Sequence, residues 1–425
     1  MSNDTQHIPS GYKPSPLGII PEDWEVKTLG ECTNLLTNGF VGVATPHYTE
    51  NPDGITYIQG FNVTEGGFNL TGIKKVTKAF HKKNSKSSLR EGDLLTIQTG
   101  DIGLTTIVTK ELEGSNCHAL IISRFKEMIL PQFMLYYYNS SIGRNRFRVI
   151  ETGTTMKHIN TGDLVKFSIP VPSLPEQQRI VSVLSLWDTA IAKQTALIEQ
   201  LTLRKRGLMQ QLLTGKKRLK GFEGEWKEVR LGDIGDTYSG LINKNKDDFE
   251  EGNAHYIPYM NVFSNEKVDT NNLGQVKVSV SENQTKVKYG DIFFTVSSET
   301  PEEVGMASVL LYDIENTYLN SFCFGYRLNG FETLLPVFAS YLLRGNSFRK
   351  EMYKIAQGST RFNISKNEVM DMRIALPSID EQNAIASVLV NADNEIEIQK
   401  QKLAALQEQK KGLMQVLLTG KRRVK

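Results

Sequence analysis

The residues of this chain that could do chemistry are present but not assembled for it. Six histidines are scattered without metal-ligand spacing, and no His-Glu-x-x-His occurs. Glu25-x-Lys27 and Glu225-x-Lys227 have the carboxylate–lysine spacing of nucleases, yet no suitably spaced aspartate lies upstream, so both pairs read as exposed strand residues. Neither G-x-x-x-x-G-K-[ST] nor G-x-G-x-x-G is found, which removes the usual phosphate and dinucleotide cradles. No Pro-Pro dipeptide exists, so the aromatic-ended tetrapeptide of amino-group methyltransferases is missing. Gly100-Asp-Ile-Gly103 has the form of an RNA-clamping loop, but strand-like residues flank it and it reads as a tight turn. The sequence predicts no catalytic residue, no metal site and no cofactor bound by this chain. It reads as a recognition and assembly protein.

Composition agrees with an ordinary globular chain: 425 residues, 39% apolar, 23% charged, net charge +3. Such a length suits two to three domains. Cys32, Cys117 and Cys323 are odd in number and far apart, which fits neither a disulfide framework nor a zinc knuckle. The polar start and the lack of any apolar run near 18 residues predict a cytoplasmic protein with no membrane partner. Basic residues cluster locally, at Lys74–Lys86, at Arg144, Arg146 and Arg148, and after residues 215 and 420. A solvated face or a helix end explains any one such run.

What must position these residues is a duplication. Gly207-Leu-Met-Gln-Gln-Leu-Leu-Thr-Gly215 returns as Gly412-Leu-Met-Gln-Val-Leu-Leu-Thr-Gly420, and Pro172-Ser-Leu-Pro-Glu176-Gln177 as Pro377-Ser-Ile-Asp-Glu381-Gln382. Between these marks apolar residues recur at alternating steps of four and three, the spacing of a coiled-coil seam. The first copy runs Ile180, Leu184, Trp187, Ile191, Ile198, Leu201, Leu208, Leu212, and the second Ile385, Leu389, Ile396, Leu403, Leu406, Leu413, Leu417. Polar breaks fall at equivalent places, Gln194 and Lys205 against Gln399 and Lys410. Each copy predicts a helix of about 57 Å, ended by Gly215 or Gly420. An antiparallel pair within the chain buries both seams; a parallel pair between two chains is the alternative.

The stretches around the repeats correspond loosely. Trp24-Glu-Val-Lys-Thr-Leu29-Gly30 matches Trp226-Lys-Glu-Val-Arg-Leu231-Gly232, and Gly92-Asp93 matches Gly290-Asp291 as a turn into a β-rich run. Divergence concentrates in loops, notably Gln98–Gly103 against Ser297–Gly305, as two different specificities on one scaffold require. The fold class expected is α+β, two mixed domains with β-rich cores linked by two long antiparallel coiled-coil helices. The division is 1–174 for the first recognition domain, 175–215 for the first helix, 216–379 for the second domain and 380–425 for the second helix.

Taken in order, Gly18-Ile-Ile-Pro-Glu-Asp-Trp24-Glu, the two Pro-x-x-x-Glu-Gln helix starts and the two Leu-Leu-Thr-Gly-Lys endings resemble the specificity subunits of type I restriction–modification systems. The resemblance covers nearly the whole chain. It implies two target-recognition domains on two helices, assembled with two modification (methyltransferase) subunits and with restriction (translocase and nuclease) subunits. S-adenosylmethionine, ATP and Mg2+ would then serve the partners, in an adenine-N6 methyltransferase complex, while this chain reads double-stranded DNA. Each domain would read one half of an asymmetric site through major-groove edges, about 34 Å apart, and the helices would set the spacer.

On that reading the base-contacting candidates are Gln98, Thr99, Asp101, Thr154, Thr155, Lys157 and His158 in the first domain. In the second they are Ser297, Ser298, Glu299, Ser359, Thr360, Arg361 and Asn363. Arg144, Arg148, Arg349 and Lys350 are the candidates for phosphate contact. Rival readings are a DNA-binding adaptor or orphan subunit without a methyltransferase partner, and a nuclease whose active site is unrecognised. The missing cofactor motifs give a direct expectation: the purified chain releases no heat of binding when titrated with S-adenosylmethionine, and measurable calorimetric affinity would overturn the non-catalytic reading.

Overall fold

The computed structural model describes residues 8–154, 157–249 and 251–424. The chain packs into two compact units, Met1–Thr195 with Gln401–Lys425, and Ala196–Lys400. The sequence division treats the long helices as separate segments, whereas by packing each unit takes part of both.

Each unit is built on the same sheets. In the first, four antiparallel strands lie in the order Thr105–Ile107, Leu94–Ile97, Leu120–Phe125, Thr33–Asn38. In the second the equivalent order is Ala307–Val309, Ile292–Thr295, Cys323–Leu328, Gly235–Ser239. Leu94–Ile97 and Ile292–Thr295 are buried along their whole length, which explains why three of the four residues in each are apolar. Gly92 and Gly290 enter these strands at φ +84° and +83°, a conformation that favours glycine. The aspartate that follows is buried and paired: Asp93 with Arg124 at 2.7 Å, Asp291 with Arg327 at 2.6 Å. A smaller three-stranded sheet accompanies each large one. Glu25–Thr28, entering the first domain, pairs antiparallel with Ser168–Val171, leaving it; Lys227–Arg230 and Arg373–Leu376 do the same in the second.

Two helices of 39 residues, Leu174–Leu212 and Ile379–Leu417, carry the repeated segments. Within each unit they run antiparallel, since Glu176 meets Arg423 and Asp188 meets Lys410 in the first. In the second, Arg218 meets Glu381 and Lys205 meets Asp393. Ile180, Leu184, Leu201, Leu212, Ile385, Leu389, Ile396 and Leu417 are buried, and the remaining seam residues are half-buried. The apolar stripe therefore closes within the chain, as the antiparallel reading expects.

The repeated motifs acquire physical roles here. Glu176 and Glu381 are each 1% exposed, and each is held by an arginine that follows the other helix. The Trp24 indole also donates to Glu176 at 2.9 Å. Gln177 and Gln382 reach into their domains: each accepts from the backbone N–H before a proline-started helix, Leu130 or Leu335, and donates to two carbonyls. A buried amide so saturated fixes the angle at which helix and domain meet.

The lysine breaks in the seam are bonding positions. Lys410 reaches Asp188 at 2.5 Å, and Asp188 also accepts from Tyr136. In the second unit Asp393 accepts from Tyr341, Lys205 and Lys267, and Lys205 also contacts Glu266 at 2.8 Å. Burial works to raise the pKa of Asp393, but its bonds to Lys205, Tyr341 and Lys267 prevail and hold it below the ordinary carboxylate range. Burial together with the aspartate pushes the Tyr341 hydroxyl up. Such a polar layer aligns two helices in one register, because a slip strands charges.

Asp393→Ala leaves Lys205 and Lys267 in partly buried surroundings and is expected to cost the second unit about 2 kcal/mol in urea unfolding. Asp188→Ala, whose aspartate is 44% exposed, is expected to cost under about 1 kcal/mol. The sign with pH follows from the lowered pKa of Asp393. Its contribution is complete above the unfolded carboxylate value near about 4 and fades as pH falls through the folded value. The Asp393→Ala chain should therefore show a flatter acid limb than the parent.

Candidate nucleic-acid reading surface

In each unit two segments distant in sequence are brought edge to edge. In the first, strands Leu94–Ile97 and Thr105–Ile107 form a hairpin whose turn is Gln98–Leu104. Gly103 N–H closes the turn on the Ile97 carbonyl at 2.9 Å, with Gly100 and Gly103 at φ +89° and +83°. A Cβ at Gly103 would stand 2.5 Å from the Phe147 ring, so the tight turn needs this glycine for space as well as for backbone angle. Against the turn lies the second segment: Thr99 bridges His158, and Ile159 N–H donates to the Gln98 carbonyl at 3.0 Å. Thr152 also bridges His158.

The first candidate set is thus largely gathered. Gln98, Thr99 and His158 are neighbours, Thr154 is exposed nearby, and Lys157 pairs with Glu151 at 3.3 Å. Thr155 lies outside the described residues. Asp101 is ion-paired to Arg144, so that arginine braces the turn instead of presenting a bare cation. Arg148 remains exposed, with one bond to Asn145.

The second unit repeats the arrangement with other side chains. Ser297–Ser298 pairs antiparallel with Phe362–Asn363, and Ile364 N–H donates to the Val296 carbonyl at 3.0 Å. Glu299, Ser359, Thr360, Arg361 and Asn363 are exposed. Ser297 and Ser298 are not; they are 6% and 8% exposed, and the Ser297 carbonyl accepts from Tyr259 at 2.7 Å. These two serines shape the edge, and of the three candidates in the loop Glu299 is the one shown to solvent.

Arg349 departs furthest from its expected role. Its guanidinium donates to the carbonyls of Glu302, Val304 and Gly305 at 2.6 to 2.7 Å, which binds the divergent loop to the helix Asn346–Lys354. Burial pulls its pKa down to about 10, so it stays charged at neutral pH. With its donors spent on carbonyls it is a loop clamp, and of the pair only Lys350 is an exposed cation. A run of charges cannot reveal this, because both residues look alike until the backbone beside them is known.

Sequence reading also missed an apolar wall. Tyr259, Met260 and Phe263 face Glu299, Glu303, Thr360 and Arg361 across a cleft of about 730 Å3. Met260 is 57% exposed, and its counterpart in the first unit, Phe61, is 60% exposed. A buried asparagine follows each one: Asn62 donates to the Asn69 carbonyl, and Asn261 to those of Asp269 and Asn272. The matching Asn62-Val63 and Asn261-Val262 were the signal available. Among the described residues no group of three His, Cys, Asp or Glu could hold a metal ion, and no helix is long and apolar enough to cross a membrane.

Comparison with known proteins follows the duplication. The pattern of the family described as type I restriction modification DNA specificity domain matches residues 21–203 and again residues 223–408. A Methanocaldococcus jannaschii protein assigned as the MjaX specificity subunit of a type I restriction enzyme is 28% identical, over 97% of both chains. The EcoKI specificity subunit of Escherichia coli is 23% identical, over 87% of this chain and 82% of that one. Among solved structures, a chain from a study of type I R-M assembly and conformational transition superposes with a TM-score of 0.64 at 18% identity. It covers 95% of this chain and 99% of that one. The HsdS subunit of Thermoanaerobacter tengcongensis gives 0.51 at 17% identity, over 95% and 98%. At these identities the structures speak to fold alone.

The clamp role of Arg349 separates it from its neighbour by experiment. Arg349→Ala leaves three carbonyls without their donor and is expected to lower second-unit stability by about 1–3 kcal/mol in urea unfolding. Lys350→Ala is expected to stay within about 0.5 kcal/mol of the parent. Equal effects of the two would remove the distinction.

Proposed function

Since the chain belongs to the type I restriction–modification DNA specificity family and carries the family's domain twice, we propose that each domain reads one half of a bipartite, asymmetric DNA site. The observation that supports this most is a shared frame with unlike edges. Both units carry the same sheet order and the same strand-to-loop pairing, yet the side chains at the edge differ, with exposed Thr99 and Thr154 and half-buried His158 in one and exposed Glu299, Thr360 and Arg361 in the other. Such residues meet base edges by type: arginine donates to guanine O6 and N7, carboxylates accept from cytosine N4, and an apolar group such as Phe61 packs on a thymine methyl. The exposed lysines Lys82, Lys83 and Lys86 supply sequence-independent attraction to phosphates.

In this proposal the chain is non-catalytic. It selects the site, and two modification subunits methylate adenine at N6 with S-adenosylmethionine. Restriction subunits add ATP- and Mg2+-dependent translocation and cleavage. The helical pair sets the length of the unread spacer and docks the modification subunits, and the complex works in the cytoplasm.

Exchange of residues 1–170 for the same part of a relative with another specificity tests the assignment of domains to half-sites. Methylome sequencing of cells carrying the exchanged chain is expected to show one half of the modified motif changed, with the other half and the spacer kept. A change in both halves would refute one-domain-one-half-site reading.

A further inference from the structure

A carboxylate stands at the reading edge of each unit, tied down in one and released in the other. Ile159 N–H donates to the Gln98 carbonyl as Ile364 N–H does to that of Val296, so Gln98 and Val296 are equivalent. Three residues on, Asp101 of the first turn answers to Glu299 of the second. Asp101 is ion-paired to Arg144. The repeat carries Arg144 to Arg349, but Arg349 spends its donors on the carbonyls of Glu302, Val304 and Gly305. The partner that neutralises the carboxylate in the first unit is thus withdrawn from it in the second.

The same edge sets a cation across from Glu299. Ser297 pairs with Asn363 and Ser298 with Phe362, so the antiparallel register places Arg361 opposite Glu299 at the next position. Both residues are exposed, and both line the cleft beside Tyr259 and Met260. Among the described residues neither side chain makes a hydrogen bond or an ion pair, with the other or with anything else. Their neighbours are committed within the protein. The Tyr259 hydroxyl donates to the Ser297 carbonyl at 2.7 Å, and Glu303 accepts from Thr300 at 2.9 Å and from Ser298 at 3.4 Å. What the edge leaves open is a group that only accepts, side by side with a group that only donates.

We infer that Glu299 and Arg361 together read a single G·C base pair in the second half-site. The inference rests on the family reading above and deepens it by giving two side chains one base pair. In the major groove a G·C pair shows the cytosine amino group next to two adjacent acceptors, guanine O6 and N7. The Glu299 carboxylate accepts from cytosine N4–H, and the Arg361 guanidinium spans O6 and N7. An A·T pair sets its amino group between its two acceptors, so the arginine loses its bidentate contact. A thymine O4 turned toward Glu299 meets like charge without a proton between them. A carboxylate facing a polyanion adds little affinity; its use is to reject the wrong base. Asp101, already neutralised by Arg144, cannot do the same, so this reader belongs to the second domain alone.

The test uses the full chain together with the modification subunits of its own system. Methylome sequencing of cells carrying Glu299→Gln or Arg361→Gln is expected to show one G·C position of the modified motif become degenerate. That position should lie in the half retained when residues 1–170 are exchanged, with the other half and the spacer kept. In DNA titrations, 7-deazaguanine at that position removes N7 alone. It is expected to weaken binding by the parent about tenfold and to have no further effect on the Arg361→Gln chain. Both variants should unfold at the parent's temperature, since neither side chain is bonded to the protein, which separates altered reading from a damaged fold. A second half-site built only of A·T pairs, a motif unchanged in both variants, or an equal 7-deazaguanine loss in parent and Arg361→Gln overturns the inference and leaves the family reading intact. A parent chain that directs no split motif sinks the family reading itself, and the inference with it.

Discussion

A helix of 39 residues with an apolar stripe along one side cannot keep that stripe in water, and in each unit it is buried against part of the other helix, running the opposite way. That burial is non-directional. By itself it would tolerate a shift by one heptad or a reversal. Direction and register come from the charged groups set into it: Glu176 against Arg423 and Asp188 against Lys410 in one unit, Glu381 against Arg218 and Asp393 against Lys205 in the other. Hydrophobic area supplies the stability, and a few buried and half-buried charges choose the arrangement.

Much of this frame was legible before any coordinates. The alternation of four and three predicted long paired helices, and the shift of 205 positions predicted that everything would happen twice. Lys205 and Lys410 read only as interruptions of the seam, because periodicity records that a position is polar and not which carboxylate it meets. The basic runs after Gly215 and Gly420 carried the same ambiguity. Arg218 and Arg423 are spent inside the protein on buried glutamates, while Lys216 and Lys217 beside them are exposed.

The reading surface was legible as loops but not as side chains. Alignment of the two halves located the divergent segments Gln98–Gly103 and Ser297–Gly305, and the structure sets each against the later segment also singled out, through Thr99 with His158 and Ser297 with Asn363. Which members face solvent depends on strand pairing that composition does not encode. Ser297 and Ser298 turn inward and Glu299 outward, and Arg349 folds back onto three carbonyls. The two halves are also less alike than their motifs. Trp24 donates to Glu176, whereas the Trp226 indole has no acceptor among the described residues.

The antiparallel pairing of the strand that enters each domain with the strand that leaves it, Glu25–Thr28 with Ser168–Val171 and Lys227–Arg230 with Arg373–Leu376, has a consequence for how such a protein can change. Entry and exit are fastened side by side, so each domain hangs from its helix like a bag from a drawstring. Lengthening, shortening or rebuilding the interior displaces neither end of the thread. Novelty can then accumulate inside the bag while the register of the helices, and whatever is built upon it, is inherited unaltered.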